Sequence, residues 1–362
     1  MSEKYIRGIQ QVGIGVGNVS EAWKWYREAF GIDIRIFEEE AVAGLMLPYT
    51  GGKPQKRHAV LALNMQGGGG FEIWNYKERI PQAPVFTPRL GDLGIFSVKI
   101  KSMDIEKAHA FHASREYHSS SIYESPNLLP HYFLKDPYSN YFEVVPCDSY
   151  FMDESKTTGA VYGVTIGVSD IDKSLVVYDQ ILGYNKVIYD QTGIFEDLKE
   201  LPGGDSTFRR ILLNHSDHKK GSFSRLLGPS QVELVQVLDR NPRQIYENRY
   251  WGDLGFIHLC FDVSGMKSLR EECRIAGHPF TVDSIASHDT QGFDMGEAAG
   301  HFSYITDPDG TLIEFVETLK VPVFKKFGIY LNLRKRHHLK SLPDFIVKAL
   351  RFNRFKEANG KG

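Results

Sequence analysis

Along the chain, short segments of alternating apolar and polar residues are followed by stretches with apolar residues three and four apart, the periods of strand and helix. Gln10-Gln11-Val12-Gly13-Ile14-Gly15-Val16 and Tyr162-Gly163-Val164-Thr165-Ile166-Gly167-Val168 are two such strands. Each runs into a capping signal, Asn18-Val19-Ser20 or Ser169-Asp170, and then into an amphipathic helix. Tyr26 and Tyr178 stand at the same offset within these repeats, as do the helix-stopping Gly31 and Gly183. A second pair begins at Leu93-Gly94-Ile95-Phe96-Ser97-Val98 and Leu254-Gly255-Phe256-Ile257-His258-Leu259, with helical patterns over 103–114 and 267–276. Both end on a turn and a strand with Glu at its centre: Asp136-Pro137-Tyr138-Ser139-Asn140 before Glu143, and Asp307-Pro308-Asp309-Gly310 before Glu314. Phe71-Glu72-Ile73-Trp74 and Val232-Glu233-Leu234-Val235 close the other two units in the same way.

Four βαβββ units follow from this pattern, opening near Gln11, Ser97, Gly163 and His258. No unit can bury both a sheet face and a helix alone. The predicted fold is therefore α+β, with the four units pairing into two open, cupped mixed sheets and a basic helical tail behind them. Along the chain the predicted division is 1–150 for the first two units, 151–319 for the last two and 320–362 for the tail.

The units resemble those of the vicinal oxygen chelate superfamily, which includes glyoxalase I, the extradiol dioxygenases and the bleomycin-resistance proteins. The resemblance covers about residues 5–318. It implies that paired units hold one metal ion, with ligands from opening and closing strands. Serine and glycine open units two and three, so those offer only Glu143 and Glu233. Units one and four offer Gln11, Glu72, His258 and Glu314, a set similar to that of glyoxalase I and suited to Zn, Ni, Co, Mn or Fe. Pairing unit one with four and two with three gathers these ligands into one site, and is the expected arrangement. Either Glu314 or Glu72 is then the expected catalytic base in a lyase or isomerase acting on a small oxygenated substrate through a metal-stabilised enediolate or enolate. An Fe(II)-dependent dioxygenase of the extradiol type, or a non-catalytic binder of the bleomycin-resistance type, are the alternatives. Where glyoxalase I has arginines for the glutathione carboxylates, this chain has Gly15 and Leu254, so glutathione is not the expected cosubstrate.

Other residues are open to plainer readings. His301, Tyr304 and His131 are candidates for lining the cavity. Glu143 and Glu233, lacking partners of ligand type, suit a structural salt bridge or a solvated face. Gly67-Gly68-Gly69-Gly70 is read as a flexible strand connection, since no Lys-Ser/Thr pair or helix follows it as in a phosphate loop. Glu38-Glu39-Glu40 is read as a solvated edge.

Charge changes the picture at one place. The 362 residues carry 43 Lys and Arg against 45 Asp and Glu, a net of −2 that gives no sign of nucleic-acid binding. From Lys320 onward, however, the chain is strongly basic, so a basic tail is joined to an acidic body. In the tail Phe345, Ile346, Ala349, Leu350 and Phe352 recur at helical spacing, predicting an amphipathic helix. Such a helix packs across the body or a second subunit, or touches an anionic membrane peripherally. Cys147, Cys260 and Cys273 are odd in number and scattered, matching neither a disulfide framework nor a C-x-x-C site. With no apolar run of about 18 residues and no secretory pattern at the start, the expectation is a soluble, cytoplasmic protein.

Overall fold

A computed structural model of the chain describes residues 4–215, 220–285, 293–294, 299–324, 329–333, 337 and 339–356. The repeated capping signals work as their chemistry requires. Asn18 accepts hydrogen bonds from the Ser20 and Glu21 amides at the start of helix Val19–Phe30, which Gly31 ends at φ 62°. Asp170 accepts from the Lys173 amide in the equivalent helix of unit three, and Gly183 stands at φ 80° beyond its end. The helices of units two and four span Ile105–Ser114 and Met266–Ile275.

Two curled mixed sheets result, and units pair from the outside in. The opening strands of units one and four, Tyr5–Gly15 and Gly255–Ser264, lie antiparallel at the centre of one sheet, the outer sheet. Each is flanked by the parallel closing strand of its own unit, Gly70–Tyr76 and Leu312–Phe324. The inner sheet joins units two and three through Gly94–Ser102 and Val161–Gly167, flanked by Tyr141–Pro146 and Gln231–Val237. Each sheet thus draws one unit from residues 1–150 and one from 151–319, so the sheets do not follow the halves of the chain. Alternation along the central strands sends Val12, Ile14, Leu259 and Phe261 into a core shared by both sheets and their helices. The intervening positions face the concave side.

The repeated tyrosines couple the units that the sheets leave apart. Tyr26, on the helix of unit one, donates to Asp136 in the turn of unit two at 2.7 Å. Tyr178, on the helix of unit three, donates to Asp307 in the turn of unit four at 2.9 Å. Both bonds are fully buried, and a hydrogen bond to a charged group contributes about 1.5–3 kcal/mol.

One expectation is corrected here. Gly67–Gly70 is not a flexible connection, because all four residues are buried and the amide of Gly69 bonds the Val161 carbonyl at 2.9 Å. A Cβ on Gly68 would stand 2.6 Å from the Val161 carbonyl oxygen of the inner sheet and one on Gly69 2.7 Å from that of Ile9 in the outer sheet, so the run serves close backbone approach to both sheets. In the tail, an α-helix, Asp344–Lys348, continues as a 3₁₀ helix over Ala349–Asn353. Val347, Ala349 and Leu350 are buried against the outer sheet, while Phe345 and Phe352 are exposed. Arg354 anchors the segment by ion pairs to Asp33 and Glu154, and the Phe355 amide bonds the Asp33 carbonyl at 2.9 Å. Arg334, Lys335, Arg336 and His338 of the basic cluster lie outside the described residues. No described helix is long and apolar enough to cross a membrane.

Candidate metal centre

Strand register fixes where each unit can place a ligand. Glu72, Glu143, Glu233 and Glu314 lie opposite Gly13, Lys99, Thr165 and Cys260 on their opening strands. Two residues earlier, on the same face, stand Gln11, Ser97, Gly163 and His258. The four units are therefore equivalent in register, and their side chains alone decide what each sheet can hold.

On the concave face of the outer sheet, Glu72, His258 and Glu314 form a buried group whose ligand atoms all lie within 4.8 Å of one another. His258 Nε2 is 3.1 Å from Glu314 Oε2 and 3.5 Å from Glu72 Oε2. Gln11 completes the ring, its Nε2 3.3 Å from Glu72 and 3.5 Å from Glu314. Yet neither nitrogen of His258 makes a hydrogen bond of acceptable geometry, and Gln11 Oε1 has no partner. Buried polar atoms are almost always satisfied. Four donors converging on one point with unspent ligand atoms fit a divalent ion, which the amide oxygen of Gln11 would face after a simple flip of its side chain.

Electrostatics agree. Burial opposes a charged imidazole, but Glu314 and then Glu72 outweigh it and raise the His258 pKa. Burial likewise raises the Glu72 carboxyl, with His258 opposing and Glu314 adding to the shift. Protons held this way are what a cation would displace.

The imidazole is held between two flat surfaces. Trp251 lies parallel to it, with 11° between the planes and 6.3 Å between centroids. On the neighbouring strand Gly13 leaves the space that the ring occupies: a Cβ there would stand 2.5 Å from His258 Cε1. Gly13→Ala is therefore expected to push the ring aside and weaken metal binding at least about 10-fold, as losses of ligand support do. Equilibrium dialysis against the metal checks this, and unchanged affinity contradicts it.

Three of the four donors, Gln11, Glu72 and Glu314, line a cavity of about 540 Å³, within the range of small-molecule sites. Tyr304 lines it beside His258, its phenol pushed well above the usual range by burial and then by Glu314 and Glu72. His301 does not line it. Phe302 and Tyr304 do, and alternation turns His301 to the opposite face. The lining also holds residues that sequence reasoning missed: Trp251, Leu350 from the C-terminal segment, and Arg57 paired with Glu39 at 2.7 Å. Glu39 thus lies half-buried at the cavity rather than on a solvated edge.

The inner sheet fills the equivalent place with a cation of its own, although both ring nitrogens of His131, like those of His258, lack a hydrogen bond of acceptable geometry. Lys99 reaches between the two closing carboxylates, bonding Glu143 and, at 2.8 Å, Glu233. Arg210 bonds Glu233 at 2.8 Å and Asp197 at 2.9 Å, and Tyr189 donates to Glu233 at 2.7 Å. His131 lies here, not in the outer cavity, with Nδ1 2.8 Å from Glu143. Burial opposes the charge on Lys99, but the two carboxylates outweigh it and raise its pKa. Both glutamates are held ionised below the usual carboxylate range despite burial, Glu233 by Arg210 and Lys99, Glu143 by Lys99 and His131. An ammonium thus stands between the closing glutamates, and about 10 Å³ of space remains beside them.

The architecture is that of the vicinal oxygen chelate fold. Glyoxalase I from Zea mays superposes with a TM-score of 0.53 at 13% identity, over 87% of this chain and 93% of that one. A candidate dioxygenase from Bacillus subtilis superposes with a TM-score of 0.55 at 12% identity, over 87% and 86%. At such identities the likeness is one of fold. No protein-family model matches the sequence, and no curated protein matches it. Of the two positions compared with the glutathione-binding arginines, Gly15 has no room for a side chain: a Cβ there would stand 1.9 Å from the Asp253 carbonyl oxygen.

Proposed function

We propose that the protein is a metal-dependent lyase or isomerase that moves a proton next to a carbonyl on an oxygenated substrate. The observation that carries this reading is the convergence of Gln11, Glu72, His258 and Glu314 beside a cavity, with His258 and Gln11 Oε1 unsatisfied. A divalent ion held by these four residues would draw in two neighbouring substrate oxygens and stabilise the negative charge of an enediolate or enolate. Glu72 is suited to accept the α-proton, because burial raises its affinity for one; Glu314, on the opposite side of His258, is suited to return it. Tyr304 stays protonated and can donate to a developing oxyanion. The group offers one histidine where an extradiol His-His-Glu set needs two, because unit one opens on Gln11.

Proton NMR of the metal-loaded protein in D₂O, with a panel of α-hydroxyketones and 2-oxoaldehyde–thiol adducts, tests this. Deuterium should enter the α-carbon, dependent on metal and lost in Glu72→Gln or Glu314→Gln. Oxygen uptake without exchange would replace the proposal with the dioxygenase reading. Tight binding with neither would replace it with a binding protein.

A further inference from the structure

The functional reading leaves the substrate unspecified, and the cavity restricts it further. An apolar cavity of about 150 Å³ holds one benzene ring, and this one measures about 540 Å³. Its walls are mostly apolar, with Phe37, Leu61, Met46 and Leu226 behind Trp251 and Leu350. Among the described residues its charged lining consists of Glu39, Arg57, Glu72 and Glu314. Three carboxylates against Arg57 and a divalent ion leave the lining neutral, so a charged ligand would add an uncompensated charge to an apolar space.

One further polar group lines the cavity on another strand, near enough for its charge to act on Glu72. Arg57 lies on the strand Lys56–Leu63, whose Leu61 is the register partner of Glu72. Four residues separate Arg57 from Leu61, about 13 Å along the strand and on the same face. Its side chain is nine-tenths buried; Nη2 holds Glu39, and Nη1 has no hydrogen-bond partner. A buried guanidinium with an unspent donor calls for an acceptor oxygen.

Building on the metal reading, we infer that the substrate is an uncharged lipophile with about the bulk of three rings, bearing adjacent oxygens for the Glu72–His258–Glu314 group and a separate acceptor oxygen for Arg57. Arg57 is then a specificity residue, and the C-terminal segment, through Leu350, sets the length of ligand admitted. A single-ring catechol leaves most of the cavity empty. A glutathione conjugate brings two carboxylates and an ammonium, of which Arg57 could receive one carboxylate only.

Titration calorimetry on the full-length, metal-loaded protein tests this with four probes: 3-hydroxyflavone, its 4′-methoxy derivative, catechol and S-hexylglutathione. Both flavones should bind at least about 10-fold more tightly than the other two. The methoxy group should add about a further 10-fold, the worth of one hydrogen bond to a charged donor, and that gain should vanish in Arg57→Met. Leu350→Trp should abolish flavone binding while the metal stays. Preference for catechol or S-hexylglutathione by the wild-type protein, which needs no variant to fold, overturns the inference, as does an undiminished methoxy gain in Arg57→Met. Metal content of the same samples separates the two levels: protein that takes up no metal sinks the functional reading, whereas metal-loaded protein with the wrong preference sinks only this one.

Discussion

Replacing His258 with alanine is expected to remove bound metal and turnover together. The imidazole is the one neutral nitrogen ligand in the group, and Glu72 and Glu314 flank it at 3.5 and 3.1 Å. Loss of residues that merely support a ligand costs about 10–100-fold in metal affinity, so loss of the ligand itself should exceed that. Without the ring, Glu72 and Glu314 face each other across a buried gap with Gln11 alone between them, and the pair would retain a proton rather than a cation. Glu314→Ala should behave alike. Elemental analysis of the purified variants beside wild type reads the result directly, and full occupancy in His258→Ala would remove this residue from the centre. The fold should survive, since Trp251 and Tyr304 still close the space around the missing ring.

The second large effect is expected in the other sheet. Lys99→Met removes the ammonium from between Glu143 and Glu233, two carboxylates that are almost completely buried. Arg210, Tyr189 and His131 remain, but they hold the outer oxygens. Breaking a buried ion pair by removing one partner costs about 3–5 kcal/mol, and urea denaturation at neutral pH should show a loss of that size. The deficit should shrink as the pH falls. In the wild-type protein both glutamates have lowered pKa values, so their contribution is present above the ordinary carboxylate range and lost below it. In the variant a glutamate facing its neighbour would take up a proton, which stabilises the fold at low pH and is lost as pH rises. Metal content at the outer site should not change. A variant as stable as wild type would show that Lys99 does not carry the balance of charge.

Most of the architecture was legible because it is repeated. A single Glu on an apolar strand says little, but Glu72, Glu143, Glu233 and Glu314 recur at one place in four similar units, and strand register confirms their equivalence. The same comparison exposed Ser97 and Gly163 as unable to bind metal, which pointed to pairing of the outer units. What escaped notice depends on contacts between distant segments. Lys99 reads in sequence as an ordinary strand lysine, and only the closure of the inner sheet turns it toward two glutamates. Arg57 and Glu39 lie on adjacent strands of unit one, yet nothing in their spacing says that they face a cavity. Leu350 reaches the site through the C-terminal segment, and its helical spacing alone did not say which surface the apolar face covers. The placing of His301 was recoverable: it stands an odd number of positions from Tyr304, and on one strand both cannot face the same side.

The central claim is that one sheet carries a live metal centre and the other has an internal cation in its place. Anomalous diffraction from crystals of the metal-loaded protein, collected at the absorption edge of the bound metal, tests it most directly. The account predicts one peak per chain, between Gln11, Glu72, His258 and Glu314, and none between Glu143 and Glu233. A peak in the inner sheet, or no peak in the outer one after reconstitution with Zn, Ni, Co, Mn and Fe in turn, would contradict it.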